Sequence, residues 1–210
     1  MLIRVYPENP APRHLSAIVD ALKKGAVIIY PTDTVYAIGC DMKNQKAIDK
    51  LCMAIGKKPE NANLSLICSD LSHLSEYTVP FEDSIYRLMK KCLPGPYTFI
   101  LKANNKVPKL FKNKKRTIGI RVPDNSIPRD IVKELGNPLV SASIHDNKLL
   151  DDYFTDPEEI YGYFKDRVDM VIHGGFGGKE VSTIFDCSSN EIELIREGKG
   201  SVEMFLMPRE

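Results

Sequence analysis

Thr32, Asp33 and Thr34 follow the apolar run Val27–Tyr30 after a single proline, in VIIYPTDTVYAIG. Ligands gather beyond strand ends in open sheets, where backbone groups are free. Two hydroxyls and a carboxylate at such a point can hold a small polar ligand such as an amino acid. The same residue types suit a turn followed by a helix cap, and spacing leaves both readings open. In TIGIRVPD the two-residue period of a strand puts Thr117, Gly119 and Arg121 on one face and Ile118, Ile120 and Val122 on the other. Gly119 leaves room for something to lie flat on the sheet. The Arg121 guanidinium can fork onto a carboxylate or phosphate, or form a structural ion pair with an acidic neighbour. Ser141 and Ser143 share one face of a strand end in PLVSAS, and Ser182-Thr183 open VSTIFD. Hydroxyls and arginine at four separate strand ends, without a Ser–His–Asp order, describe a ligand-gripping cavity more than a nucleophile. Proximity chemistry between two bound substrates suits such a site.

The stretch Lys102–Arg116 carries Lys102, Lys106, Lys109, Lys112, Lys114, Lys115 and Arg116 with no acidic residue between them. Such a patch is either a solvated loop or a contact for a phosphate-rich partner, touching phosphates rather than base edges. The glycines of VIHGGFGGKE do not make a phosphate-binding motif: His173 and Glu180 stand where the P-loop requires Gly and Ser or Thr. A tight or mobile turn is expected there. His145 and His173 are isolated. Cys40, Cys52, Cys68, Cys92 and Cys187 are far apart, with no Cys-x-x-Cys pair, so they read as small buried hydrophobes and no metal site is expected.

These groups need a scaffold, and 210 residues with 43% hydrophobic side chains can bury one without disulfides. One domain over residues 1–210 is expected. No apolar run approaches the roughly 20 residues of a membrane span, and no signal-peptide pattern opens MLIRVYPENP. A reducing cytoplasm is the expected compartment. A net charge of +1 provides no global field for nucleic acid or membrane.

Leu15, Ile18, Val19 and Leu22 predict a helix over 13–24, and Ile48, Leu51, Cys52 and Ile55 another, capped by Asn44 and stopped at Gly56. Ile85, Leu88, Met89 and Cys92 mark a third, broken by Pro94-Gly95-Pro96. Ser126 is expected to cap a fourth, and Asp156-Pro157-Glu158-Glu159 opens a fifth. LIRVY, VIIY, LSLIC, YTFILK, TIGIRV, PLVSAS, VDMVIH, VSTIFD and EIELIR read as strands. Helices and strands mix without strict alternation, which predicts an α+β fold: a mixed sheet covered by helices.

The motifs YPTDTVYAIGCD, KKPENANLSLICSD, LPGPYTFILKA, KRTIGIRVPD, DMVIHGG, VSTIFD and REGKG occur here in the order seen in the YrdC/Sua5/YciO family, which this chain resembles over roughly residues 13–201. The YciO-like branch is nearest, through EDSIYRLMKKCLPGPYTFILK, KKRTIGIRVPD and DPEEI. The resemblance implies a YrdC/RibB-like fold, a twisted open mixed sheet with a large concave cavity. It implies L-threonylcarbamoyladenylate synthesis from L-threonine, bicarbonate and ATP, with Mg²⁺ brought by ATP and no protein-bound metal, for the t6A modification of tRNA. It also implies double-stranded RNA or tRNA as a partner, for which Lys102–Arg116 is the candidate surface.

Carried over by motif, the resemblance places Thr32, Arg121 and Thr183 at the amino acid. It places Lys57, Thr117 and Arg196 at the nucleotide, and Lys58, Ser141 and Ser143 at the reacting groups. The chain departs from the synthases where K-x-R-P becomes Gly56-Lys57-Lys58-Pro59 and S-x-N becomes Ser141-Ala142-Ser143. The His or Asn before P-L aligns with Ala62, followed by Asn63. A lysine cannot make the bidentate grip of an arginine. The departures keep two alternatives beside the synthase: an RNA- or nucleotide-binding protein without synthase activity, and an adenylate hydrolase.

Overall fold

The computed structural model describes residues 1–59, 62–107, 116–144, 154–189 and 191–203. Its strands are β1 (Leu2–Arg4), β2 (Val27–Tyr30), β3 (Ala37–Asp41), β4 (Ser65–Ile67), β5 (Tyr97–Lys102), β6 (Thr117–Arg121), β7 (Leu139–Ser143), β8 (Met170–His173), β9 (Thr183–Asp186) and β10 (Glu193–Arg196). Among the described residues they form one ten-stranded sheet in the order β1-β8-β2-β3-β7-β4-β6-β5-β9-β10. Parallel and antiparallel pairs alternate irregularly, as in β2–β3 antiparallel, β4–β6 parallel and β5–β9 parallel. The mixed architecture expected from the sequence is the one observed.

Among the described residues five α-helices cover the sheet: α1 (Pro12–Lys23), α2 (Gln45–Ala54), α3 (Asp83–Cys92), α4 (Ser126–Leu135) and α5 (Pro157–Phe164). The strict alternation of β2 assigns the layers. Val27 and Ile29 pack into a core with Ile48 and Leu51 of α2, Ile85 and Met89 of α3, and Phe164 of α5. Ile28 and Tyr30 point the other way, to a smaller core with Leu15, Ile18 and Leu22 of α1 and Ile131 and Leu135 of α4. A strand buried on both faces needs an apolar run rather than a polar–apolar alternation, which explains VIIY. All five cysteines are buried.

Two details depart from the sequence expectation. Residues Ala37–Asp41 form β3, which the patterning does not announce because all five are buried and two are Gly and Asp. The cap of α4 is Asn125, whose side-chain oxygen accepts from Ile127 N at 3.1 Å. Ser126 is already helical, and its hydroxyl is spent on the Pro7 carbonyl. Asn44 and Asp156 cap α2 and α5 as expected. Gly136 ends α4 with a φ of 77°, a left-handed conformation that glycine adopts without penalty.

The smaller core covers only part of its face. Beyond it, one cross-strand row runs through Gly39 and Ser141, Ser141 and Ser65, Ser65 and Gly119, then Gly119 and Ile100. Ser65, Ile100 and Ser143 are only half-buried. This strip of small residues is the floor on which the candidate site is built.

Candidate functional site

The turn after β2 and the end of β6 meet over that floor. Between β2 and β6 the sheet order places β3, β7 and β4, a span of about 19 Å at the usual strand spacing. The Arg121 guanidinium nevertheless donates through one nitrogen to Asp33 Oδ1 at 2.5 Å, Thr34 Oγ1 at 2.7 Å and Thr32 Oγ1 at 3.3 Å. The span is closed only because Pro31–Thr34 crosses the face of the sheet while Arg121 reaches back. The floor must be shallow for this. Tyr30 lies across Gly39, where a Cβ would be 2.9 Å from its ring, and a Cβ on Gly119 would be 2.7 Å from Ser65 Oγ.

Within the turn, Thr32 Oγ1 donates to Val35 O at 2.7 Å and accepts from Thr34 N at 3.0 Å. Thr32 therefore shapes the turn, as one of the two sequence readings expected, but the strand β3 follows it in place of the capped helix of that reading. Arg121 likewise makes the structural ion pair that stood as its alternative, with Asp33 as the acidic neighbour. Both side chains are 9% exposed, and Asp33 Oδ2 and Arg121 Nε have no hydrogen-bond partner among the described residues. Each orphaned buried polar atom costs on the order of 1–3 kcal/mol. The pair thus presents one unmet acceptor and one unmet donor.

Ser141 is tied to the same region. Its hydroxyl donates to Ile38 O at 3.1 Å and accepts from the Tyr30 hydroxyl at 2.6 Å. Burial raises the Tyr30 phenol well above its ordinary value, against the lowering effect of Ser141 and of the Arg121 charge. Ser143 is half-buried on the same face, opposite Ala37, and Thr117 is buried opposite Lys102.

A second segment approaches from the far edge. Thr183 Oγ1 donates to Gly200 O at 2.6 Å and accepts from Gly198 N at 2.9 Å. Arg196 Nε and Nη2 donate to Ser182 O at 3.2 and 2.9 Å. Lys199 Nζ then reaches Asp33 O at 2.5 Å. Residues 196–200 form a strap that joins β9 to the turn after β2, so Thr183 and Arg196 belong to the same structural unit as Thr32 and Arg121. Lys57 and Lys58 follow α2, where Lys57 N closes the last turn on Cys52 O at 2.9 Å. Lys57 is half-buried and Lys58 exposed. No hydrogen bond joins Lys58 to the turn.

The glycine loop after β8 serves as backing. Tyr36 donates to Gly175 O at 2.6 Å and accepts from Gly174 N at 3.2 Å, while Gly178 N donates to Thr34 O at 2.8 Å. These amides are committed, so the loop is a tight turn and not a phosphate cradle. Burial pushes the Tyr36 phenol up to about 12. A separate cavity of about 380 Å³ opens past the other end of β3, beside Met42, Lys43, Tyr77 and Lys106. Of the residues singled out in the sequence, Lys106 of the basic stretch lines it, and none of those assigned to the amino acid, the nucleotide or the reacting groups does. Among the described residues no cluster of three His, Cys, Asp or Glu side chains is placed to hold a metal, and no helix is long and apolar enough to cross a membrane. Lys109, Lys112, Lys114, Lys115 and His145 lie outside the described residues.

Sequence reasoning missed Tyr30 and Lys199. A polar-tipped aromatic ending an otherwise aliphatic strand, and a lone lysine between the glycines of REGKG, were the available signals.

Known proteins resemble this chain over most of its length. The model of the Sua5, YciO and YrdC proteins, described as "Telomere recombination", matches residues 20–198. An uncharacterised Haemophilus influenzae protein is 43% identical over 203 residues, 96% of this chain and 97% of its own. The uncharacterised protein YciO of Escherichia coli K12 is 41% identical over 206 residues, with 96% and 97% covered. A threonylcarbamoyl-AMP synthase of Vibrio vulnificus is 29% identical over 188 residues, 88% of this chain and 98% of its own. The crystal structure of E. coli YciO superposes with a TM-score of 0.90 at 38% identity, covering 98% of each chain. P. abyssi Sua5 complexed with L-threonine superposes with a TM-score of 0.88 at 21% identity, covering 98% of this chain and 59% of that one. The latter is a likeness of fold.

Proposed function

This chain belongs to the Sua5/YciO/YrdC family, and from that premise we propose that it binds a nucleotide and a small amino acid and joins them as threonylcarbamoyl-AMP synthesis or a close relative of it. The observation that carries the proposal is the unfinished Asp33–Arg121 pair. It is buried, yet it leaves an acceptor at Asp33 Oδ2 and a donor at Arg121 Nε. A ligand with an ammonium or hydroxyl beside a carboxylate satisfies both at once, which an amino acid does and a simple anion does not. The synthase of Vibrio vulnificus and the threonine complex of P. abyssi Sua5 support the choice of L-threonine.

In the proposed reaction the threonine amine and bicarbonate give an N-carboxylate with loss of water. A carboxylate oxygen of that carbamate attacks the α-phosphorus of ATP, and the bond to the β-phosphate breaks to release pyrophosphate. Mg²⁺ enters as the counter-ion of the ATP substrate. Thr32, Arg121 and Thr183 orient the amino acid. Lys57, Thr117 and Arg196 hold the nucleotide, while Lys58, Ser141 and Ser143 face the reacting groups. The protein supplies alignment more than proton transfer, and alignment of two bound reactants is worth up to about 7–11 kcal/mol of barrier.

The test is an assay with ATP, L-threonine and bicarbonate that reads both pyrophosphate and the adenylate. Product formation dependent on all three is expected. Nucleotide binding without turnover sinks the synthase reading and favours the alternatives that Lys58 and Ser143 motivate. Adding the adenylate directly and watching for AMP then identifies a hydrolase. Salt-sensitive retention of double-stranded RNA, weakened by neutralising Lys112, Lys114 and Lys115, identifies an RNA-binding protein.

A further inference from the structure

The charges around the turn do not cancel. Arg121 is matched by Asp33 at 2.5 Å. The ammonium of Lys199 lies against the same residue, but on its main-chain carbonyl, and the ion pairs found among the described residues do not include it. One positive charge is therefore left over at the mouth of a site whose own acid is already used. A contact between an ammonium and a neutral carbonyl is weaker than one with an oxyanion, so an anionic ligand arriving here offers Lys199 a better partner than it has.

The anchoring of the strap says which part can move. Residues 196–200 are pinned at their base: Lys199 N donates to Val181 O at 2.8 Å, and Thr183 holds both Gly198 and Gly200. A Cβ on Gly198 would lie 2.3 Å from Val181 O, and one on Gly200 2.4 Å from the Tyr97 ring, so the strap backbone is packed tightly against its support. The Lys199 side chain is exposed and has four rotatable bonds, so it alone can leave one acceptor for another without moving the backbone.

We infer that Lys199 is a ligand-gripping residue of this site, its ammonium exchanging the Asp33 carbonyl for an oxyanion of the bound ligand while the backbone of strap 196–200 stays in place. The inference rests on the turn being a ligand site, as proposed above, and not on which reaction follows. The oxyanion is a phosphate or a carboxylate, and the probes separate the two sources.

The experiment is calorimetric titration of the whole protein with Mg²⁺–ATP, AMP and L-threonine, in the wild type, Lys199→Met and Lys199→Arg. Lys133→Met, an exposed position on α4, controls for net charge. Loss of a charge-assisted contact predicts about 10-fold to 100-fold weaker binding of one probe class by Lys199→Met. Lys199→Arg should retain most of the affinity, and Lys133→Met should change nothing. A weakened nucleotide identifies a phosphate, and weakened L-threonine alone identifies the carboxylate. Equal binding of every probe by wild type and Lys199→Met overturns the inference and leaves the site intact. Failure of the wild type to bind any of the three removes the ligand-site reading and this inference together.

Discussion

Removing the Arg121 guanidinium strands the Asp33 carboxylate at 9% exposure without its counter-charge, whereas removing both partners strands nothing. Arg121→Met is therefore expected to lower unfolding free energy by about 3–5 kcal/mol, and Asp33→Asn combined with Arg121→Met by clearly less. Urea titrations of the single and double variants measure it. Equal losses would mean that Arg121 acts through packing alone. At this scale the sequence was informative about residue type and silent about partnership. Thr32, Arg121, Ser141 and Thr183 are recognisable as polar groups at strand ends. That Asp33 is the acid facing Arg121, that Tyr30 covers Ser141, and that Lys199 reaches the turn all depend on side chains crossing several strands. No local pattern records such distances.

Helices were legible because their apolar period is also their packing instruction. Leu15, Ile18, Val19 and Leu22 are the residues α1 buries. The starts of α1, α2, α4 and α5 were legible to within one residue, and at α4 that residue matters. Asn125 supplies the oxygen that Ile127 N needs, while Ser126 serves the Pro7 carbonyl. Asn125→Ala should cost about 1 kcal/mol in thermal or urea unfolding, and the far-ultraviolet signal should lose amplitude where α4 frays. Ser126→Ala should leave that helix start capped, and a larger loss there than at Asn125 would reverse the assignment. β3 was illegible for the opposite reason. A five-residue strand buried on both faces and containing Gly39 and Asp41 offers neither alternation nor β-branched enrichment. Its identity comes from the neighbours it pairs with, β2 and β7.

Across the whole molecule, burial is uneven in its chemical consequences. Desolvation pushes the Cys68 and Cys187 thiols up to about 12 and Cys92 to about 11, from an ordinary 9.0. A folded-state value above the unfolded one means that the neutral thiol stabilises the fold fully below pH 9 and loses that contribution as pH climbs toward 12. The urea midpoint should hold steady between pH 7 and 8.5 and decline from about pH 9 upward. A reagent for free thiols should react slowly with the native protein at pH 8 and reach all five cysteines in urea. A midpoint that rises between pH 9 and 11 would contradict the burial of these groups.

The ladder geometry carries a temporal consequence. Arg4 of β1 is registered against His173 of β8, 169 residues later, and Ile28 and Ile29 of β2 also take their parallel partners from β8. A ribosome adding about 5–20 residues per second needs on the order of ten to thirty seconds to deliver that partner. Throughout that interval the outer flank of β2 emerges into the cell with its amide groups unmated. Vectorial assembly must therefore begin elsewhere, at the β2–β3 hairpin with α2, and the nascent chain completes its first edge only when β8 has cleared the exit tunnel.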